Sequence, residues 1–431
     1  MDQITRQVKI DPKRLIQLEK ACINIPSFKK EFENSLTKDT TQLIELVLMG
    51  AIELGASDVH LEPEEKQVKL RFRLDGLLQD ILLIDLAIYK VILSRLKLLG
   101  EVKLNINAKA QDGRFSVVCG DKTIEIRMST LPAGFGEAVV LRVLSARDVI
   151  DLKELGIRDD ALGVFNHEIK KPNGLILITG PTGSGKTTTL YGILKTIASP
   201  ELKVVTIEDP IEYRLPGISQ TQVDIEDGYD FANGLEAIVR QDPDIILVGE
   251  IRDEQTAKIT IQASLTGHMV LSTLHTNDAA GTVARLQALG EIASNIAPAL
   301  SLAIGQRLVR KVCETCKKME LVTDPELNLF SQYLTNLPSN LKIPILNSSL
   351  KIAKPVGCDS CNQSGYKGRI GIFEFFVVDD EMENFILKSP SIVDLKKRAT
   401  EKGMLTMFQD GLIKVLEGIT TLEEVQREST P

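Results

Sequence analysis

The chain has 431 residues, too many for one ordinary core, and its 43% hydrophobic content supplies apolar side chains for several. Its 51 basic residues against 59 acidic ones leave a formal charge of −8, which argues against a protein whose main task is gripping nucleic acid. With no tryptophan and 4% aromatic residues, a base-stacking surface is not expected either.

Residues 1–40 are charged and weakly patterned; they read as a short helical segment with a boundary near Thr40 and Thr41. The opening stretch, MDQITRQVKIDPKRLIQLEK, has no apolar core and no small-residue cleavage site, so no signal peptide is expected. No stretch reaches the roughly 18 uncharged apolar residues of a bilayer span. The expectation is a soluble, cytosolic chain that meets a membrane only through a partner. Residues 41–55 have the apolar spacing of a buried helix. Strand-like runs at 68–76, 114–120, 123–131 and 138–144, with a helix near 86–99, predict a small α+β domain over 41–145. Residues 146–154 read as a linker. From 155 to 305 short apolar strands, at 174–180, 203–209, 244–250 and 268–275, alternate with helices, which predicts a parallel sheet covered by helices. Residues 306–372 carry cysteines and many turn residues, and 373–431 read as a small helical domain.

The strongest motif is GPTGSGKT, formed by Gly180, Pro181, Thr182, Gly183, Ser184, Gly185, Lys186 and Thr187, with Thr188 next. It matches G-x-x-x-x-G-K-[ST] and stands between an apolar strand and a helix, the context this phosphate loop requires. The glycines let backbone N–H groups close around a phosphate at the positive end of the helix. Lys186 brings a cation to the terminal phosphates, and Thr187 offers a hydroxyl to Mg²⁺. The alternative is a glycine-rich turn without a ligand.

Three other patterns carry chemistry. The strand DIILVGE ends in Gly249 and Glu250, and a carboxylate there can orient and deprotonate an attacking water; otherwise it is a glutamate at a helix start. TIEDPIEY brings Glu208, Asp209 and Glu212 to the end of another strand, where one can hold Mg²⁺ through water or all can form a solvated turn before Pro210. His268 and His275 bracket one strand, seven residues apart and so on opposite faces. The company of Thr276 and Asn277 points His275 toward phosphate sensing, against the alternative of a satisfied core histidine.

Four of the six cysteines form two C-x-x-C pairs, Cys313/Cys316 and Cys358/Cys361, separated by 41 residues, while Cys22 and Cys119 read as small apolar residues. Each pair can give two thiolates to a tetrahedral Zn²⁺. The gap is longer than the commonest pattern, so the intervening segment must loop out and return. A metal-free reduced quartet or a redox pair is the alternative.

Together these residues resemble the secretion-superfamily motor ATPases, specifically the GspE/PilB-like branch of type II secretion and type IV pilus assembly. TIEDPIEY is similar to its Asp box, RQDPDIILVGEIRD to its Walker B segment, and TGHMVLSTLHTND to its His box. ASDVHLEP, RFRLDG, QDGRF and RMSTLPAGFGEAVVLRVL resemble its preceding domain; PVGCDSCNQSGYKGRIGIFE and GMLTMFQDGLIKVLEGITTLEEV resemble its tail, so the likeness covers roughly residues 41–431. The resemblance implies a RecA-like P-loop core preceded by a small α+β domain and followed by a tetracysteine zinc insertion and a helical C-terminal domain. It implies ATP hydrolysis with ATP, Mg²⁺ and Zn²⁺, and a homo-hexamer at the cytoplasmic face of the inner membrane. There the ring drives a polytopic platform protein and so assembles a type IV pilus, a competence pseudopilus or a type II secretion pseudopilus. By the motif match Glu250 is the catalytic carboxylate, Lys186 the loop cation, Glu208 an acidic helper near Mg²⁺ or water, and His275 a nucleotide-state sensor. Arg127 and Arg142 match arginines of the preceding domain that reach nucleotide. The tetracysteine insertion, typical of the assembly branch, favours assembly over retraction.

Three departures qualify the match. The region before residue 41 is shorter than the docking domain usual in this branch. Glu236 stands where the branch commonly has arginine, so no cationic role is carried onto it. Ala108-Lys109-Ala110 replaces a usual R-L-P ahead of QDGR. Two rival readings are a nucleic-acid motor on a related core and a non-hydrolysing ring subunit. The first lacks a basic, aromatic-bearing loop here, and intact Lys186, Thr187 and Glu250 disfavour the second.

Overall fold

The computed structural model describes residues 6–36, 39–144, 151–335, 337–338, 341 and 343–430. Two compact units divide the chain: residues 1–147 with 357–367, and residues 148–356 with 368–431.

The first unit comprises β1 (Gln7–Lys9), α1 (Pro12–Ala21), α2 (Ile25–Ser35), α3 (Thr40–Glu53), β2 (Asp58–Pro63), β3 (Gln67–Leu74), β4 (Leu77–Asp85), α4 (Leu86–Leu99), β5 (Gln111–Cys119), β6 (Lys122–Ala133) and β7 (Gly136–Leu144). Its seven strands run in the order β1-β5-β6-β7-β2-β3-β4. All neighbours are antiparallel except β1, which adds to β5 in parallel with Val8 opposite Val117. That edge strand lies in the segment read from sequence as helical; three residues are too few for a periodic signal, and buried Val8 makes the pairing worthwhile. On β3, Val68, Leu70, Phe72 and Leu74 enter the core, while Lys69, Arg71 and Arg73 take the more open positions between them. Helix α3 is apolar on most of its surface, and α1, α2 and α4 all pack against it. A Cβ built on Gly50 would lie 2.4 Å from the Phe28 ring, so glycine permits the close approach.

Residues 145–150, and with them most of the expected linker over 146–154, lie outside the described residues. Leu152 and Leu155, at its end, are buried with the parallel-sheet core. Then follow α5 (Asp159–Glu168), β8 (Gly174–Thr179), α6 (Lys186–Ile197), β9 (Val204–Glu208), β10 (Ser219–Gln222), α7 (Phe231–Val239), β11 (Ile245–Val248), α8 (Glu254–Leu265), β12 (Met269–Leu274), α9 (Gly281–Ala288), α10 (Ala293–Ala299) and β13 (Leu300–Val312). The chain continues through β14 (Lys318–Leu321), α11 (Asp324–Tyr333), β15 (Lys351–Lys354), β16 (Tyr366–Val377), α12 (Asp380–Ile386), α13 (Ile392–Glu401), α14 (Met407–Leu416) and α15 (Leu422–Glu428).

The main sheet has the order β10-β9-β11-β12-β8-β13-β16, and the pairs from β10 to β13 are parallel. Strands β8, β9, β11 and β12 are buried at every residue, as expected of a sheet covered on both faces. Alternation then sorts their side chains. Ile176, Ile178, Leu247 and Leu271 pack with Phe165 of α5 and Leu190 of α6, whereas Leu177, Ile207, Val248 and Val270 pack with Leu235 of α7 and Ile261 of α8. The sheet extends beyond residue 305, because β13 runs on to Val312 and β16 adds beside it. The antiparallel pair β14–β15, with α11, packs on α14 and α15 around Phe330, Ile352 and Phe408. Buried Asp410 ties this tail inward through Arg158, Lys414 and the Phe373 amide. Among the described residues no helix is long and apolar enough to cross a membrane.

Candidate functional site

Strand β8 stops at Thr179 and α6 starts at Lys186, so the glycine-rich segment forms the loop between them. Gly180, Gly183 and Gly185 have φ of +156°, +83° and +89°, which L side chains resist. Lys186 folds back over the loop, its Nζ donating to the carbonyls of Gly180 at 2.8 Å and Pro181 at 3.2 Å. Burial pushes this amine down to about 8, only partly opposed by the charge of Glu250. The buried Ser184 hydroxyl has no partner among the described residues. Thr187 is exposed and Thr188 half-buried on the first turn of α6. A buried cation held only by carbonyls, an orphaned hydroxyl and a helix N-terminus form a cradle that fits a phosphate chain. The exposed Thr187 hydroxyl beside it suits a hydrated Mg²⁺, which takes few protein ligands.

Sheet order sets the rest. Strand β12 lies between β8 and β11, so the turn after β12 adjoins the loop and the residues after β11 stand one strand further off. Thr179, the last residue of β8, accepts the Thr276 amide on its Oγ1 at 2.9 Å, stitching the His275 turn to the loop strand. Glu250 follows Val248 by two residues, and its carboxylate is held from two sides. Oε1 pairs with Arg252, and Oε2 lies 3.6 Å from His275 Nε2. Burial first, then the Lys186 charge, hold the His275 imidazole below its ordinary value, so at neutral pH it faces Glu250 mainly as a neutral ring. Arg252 also reaches Asp209 at 4.0 Å. Lys186, Glu250, Arg252 and His275 thus form one electrostatic group.

Glu208, expected beside Mg²⁺ or water, is 3% exposed and turned into the sheet. It accepts from Thr206 Oγ1 at 2.6 Å, Gln220 Nε2 at 3.2 Å and the Tyr191 hydroxyl. Thr206 shares its strand face, Gln220 lies on the neighbouring strand β10, and Tyr191 lies on α6. Burial, then the Glu208 partner, raises the Tyr191 phenol above its usual value. His268 sits just before β12 with Nδ1 3.1 Å from the Ala263 carbonyl, a packing contact at the end of α8. Arg127 and Arg142 are cross-strand partners on β6 and β7 of the first unit. Arg142 Nε lies 3.2 Å from Asp58 Oδ1, while Arg73 Nε lies 3.1 Å from the other oxygen of that carboxylate. Glu236 is exposed on α7.

The ligand sulfurs of Cys313, Cys316, Cys358 and Cys361 all lie within 4.8 Å of one another. A tetrahedral site with Zn–S near 2.3 Å has sulfurs about 3.8 Å apart, and Cys358 and Cys361 stand at 3.7 Å. Gly357 precedes the second knuckle at φ +117°, and a Cβ there would meet the Gln363 carbonyl at 2.8 Å. The quartet fits a zinc ion without rearrangement of this pair.

Sequence reasoning assigned no role to Arg252, Tyr191, Gln306 or Arg307. Arg252 carries a usable signal, two residues from Glu250 in a turn. Gln306, whose buried side chain accepts from Thr189 Oγ1 at 2.9 Å, carries none, because its position follows from the pairing of β13 with β8.

A parallel sheet with a glycine-rich loop on an interior strand, a lysine over that loop and an acidic group two strands away define a P-loop nucleotide-binding fold. The family model described as type II/IV secretion system protein matches residues 34–427. The chain belongs to that family. It is 44% identical over 386 residues to a type IV pilus assembly ATPase PilB of Thermus thermophilus, covering 89% of this chain and 42% of that protein. It is 42% identical to a type II secretion system protein E of Dickeya dadantii, covering 90% of this chain and 75% of that one. The chain thus spans less than half the length of the first relative. Among solved structures it is similar to the pilus retraction motor PilT with bound ADP, at 27% identity and TM-score 0.58, covering 89% of this chain and 96% of that one. The ATPase DotB of Legionella pneumophila shares the fold at 21% identity and TM-score 0.66, covering 91% and 96%.

Proposed function

We propose that this chain is an ATP-hydrolysing motor of type IV pilus or type II secretion pseudopilus assembly, including the competence form. It works as a homo-hexamer at the cytoplasmic face of the inner membrane, where it drives a polytopic platform protein. The observation that carries the reading is the Lys186–Glu250–His275 group at the carboxyl ends of adjacent and near-adjacent strands, beside a loop shaped for phosphate. Family membership and the names of its relatives support the ATPase activity. The zinc-fitting quartet, which the sequence resemblance associates with assembly motors, favours assembly over retraction.

In this reading the backbone N–H groups of 181–187 and Lys186 bind the phosphates, the Thr187 hydroxyl holds Mg²⁺, and Thr188 lines the same turn. Mg²⁺ neutralises charge on the terminal phosphates when bound. Glu250 accepts the proton of the attacking water once its oxygen turns from Arg252, and His275 reports the change through its contact with that carboxylate. Glu208 supports the site by fixing α6 through Tyr191. Arg127 and Arg142 add charge neutralisation when a ring brings them to nucleotide. Zn²⁺ on Cys313, Cys316, Cys358 and Cys361 is structural.

Phosphate release from ATP by the purified chain tests the activity. Specific activity should rise with protein concentration as rings form, and absence of turnover at any concentration sinks the proposal. Metal analysis should find one zinc per chain, and Cys358→Ser should lower that content and raise backbone exchange around the cysteines, because a structural zinc contributes folding energy. Well under one equivalent in the parent protein would remove zinc from the account.

A further inference from the structure

A second cation sits behind the phosphate loop. Arg307 follows Gln306 on β13, the strand that flanks β8 on the side away from β12, and it is 8% exposed. Its Nη1 donates to the Gln306 carbonyl at 2.9 Å and its Nη2 to the Asn277 carbonyl at 2.6 Å. A Cβ built on Gly180 would stand 3.1 Å from that same Nη1 and 2.5 Å from the Gln306 carbonyl, so the guanidinium lies directly against the first residue of the loop. Asn277 belongs to the turn that carries His275, and Thr276 of that turn is tied to Thr179. One side chain therefore touches the loop and the His275 turn together.

Its charge is poorly compensated. Among the described residues no carboxylate lies within ion-pairing distance of it, and burial lowers the guanidinium more than the fields of Glu374, Glu428 and Asp278 raise it. The charge of Arg307 also adds to the burial that depresses Lys186. A buried cation satisfied only by carbonyls is costly, and an anion arriving nearby recovers that cost. The two cations at this loop share the anion that would recover it.

We propose that Arg307 is a positioning residue that couples filling of the phosphate loop by an oligophosphate to the placement of the His275–Asp278 turn, and through His275 to Glu250. The proposal rests on the reading of the loop as a nucleotide site. The phosphate charge draws the guanidinium toward the loop; its bond to the Asn277 carbonyl carries the turn with it. Charge alone does not suffice, because the function needs two donors in a fixed fork that grips two segments at once.

The test compares the parent chain with Arg307→Lys, which keeps the charge, and Arg307→Gln, which loses it. The readout is hydrogen exchange of the amides in 276–281 with and without saturating ADP, a ligand that requires no turnover. In the parent, ADP should slow this exchange about tenfold, the range of ordinary coupling energies. Both variants should bind ADP within a few-fold of the parent yet lose that ADP-dependent change. In steady-state ATP hydrolysis kcat should fall about 10²-fold with KM nearly unchanged, as for a displaced catalytic group. Retention of the ADP-dependent change in both variants overturns the proposal. So does faster exchange by the same factor with and without ADP, which marks a purely structural tie. A loss of ADP affinity that matches the loss of kcat also overturns it, since Arg307 would then be a phosphate ligand. If the parent binds ADP and shows the exchange change but hydrolyses no ATP, the proposed ATPase function fails while the coupling stands. If the parent binds no ADP, both fall.

Discussion

The two seven-stranded sheets place charge in opposite ways. In the parallel sheet β8, β9, β11 and β12 are buried at every residue, so an ionisable side chain can reach a ligand only where a strand ends. Glu250 and His275 lie two residues and one residue past such ends, Lys186 follows the loop that leaves β8, and their partners are loop carbonyls, Arg252 or one another. In the antiparallel sheet β3 alternates, and its charged positions are matched on the sheet itself: Lys69 with Glu64, Arg71 with Glu62 and Asp80, Arg73 with Asp58. A charge at the end of a buried strand keeps capacity for a ligand, whereas a charge on an open sheet face has a carboxylate already. Glu208 is the exception that sharpens the rule, a carboxylate at a strand end whose capacity Tyr191, Thr206 and Gln220 have taken up.

The largest expected effect lies at the strand-end carboxylate that is not closed off in this way. Glu250→Gln keeps the shape and one accepting oxygen but removes the proton acceptor, so turnover should fall roughly 10²–10⁴-fold. ATP affinity, measured by titration, should stay within a few-fold. Wild-type turnover in this variant would break the contrast between Glu250 and Glu208, leaving no reason to prefer one.

Lys186 gives a smaller effect with a definite sign. Its amine is pushed down to about 8 in the loop as it stands, against roughly 10.4 for an ordinary lysine. The folded chain therefore sheds this proton between those values while the unfolded chain keeps it. The cost of burying the charge is fully present below about pH 8 and eases as pH rises toward 10.4. Phosphate binding runs the other way, because the anion needs the protonated amine. ADP affinity should be nearly flat up to about pH 8 and fall about tenfold by pH 9, with uptake of a proton on binding. Calorimetry in two buffers of different ionisation heat measures that uptake. Affinity independent of pH across this window would show that Lys186 does not meet the phosphate.

Tyr191→Phe tests the closed carboxylate. It removes one donor from buried Glu208 and should destabilise the chain by about 1 kcal/mol, the usual worth of such a bond or slightly more. Turnover should follow stability, falling only where the folded fraction falls. A much larger turnover loss at full folding would return Glu208 to the reacting groups.

How much of this was legible in the sequence depends on how local each feature is. The strand, loop and helix over 174–197 are contiguous, so apolar run, glycines and lysine announce their own geometry. The parallel sheet followed from fully apolar strands alternating with helices. Arg307 and Gln306 were not legible, because their place beside Gly180 arises only when β13 pairs in parallel with β8, and nothing in QRLVRK encodes that partner. Glu208 read as available because its strand-end position matches that of Glu250. The difference lies in Tyr191, one turn into α6, which no spacing links to Glu208. The edge strand β1 escaped for want of length.

The smallest effect concerns the face of the antiparallel sheet, and there a small number is what makes the experiment decisive. Arg142 pairs with Asp58 at 3.2 Å, but its side chain is 59% exposed, so solvent screens the pair. Such pairs are worth about 0–1 kcal/mol, and Arg142→Ala should leave thermal stability within that range. Unfolding then cannot explain a loss of turnover. Asp58→Asn keeps both arginines but weakens their anchor, so it reports what the ion pair contributes apart from the Arg142 charge. If Arg142 serves only its own sheet, both variants hydrolyse ATP at the parent rate. If it neutralises phosphate charge within an assembled ring, Arg142→Ala binds ATP and turns it over poorly, while Asp58→Asn remains active. Mixing Arg142→Ala with Lys186→Ala then asks where the arginine acts. Recovery of activity means that it reaches the loop of a neighbouring subunit, since one interface in the mixed ring holds both intact parts; no recovery means that it acts within its own chain. Arg127, opposite Arg142 on β6, should follow the same pattern when replaced by alanine. Parent-level turnover in both alanine variants would confine these arginines to the sheet that bears them.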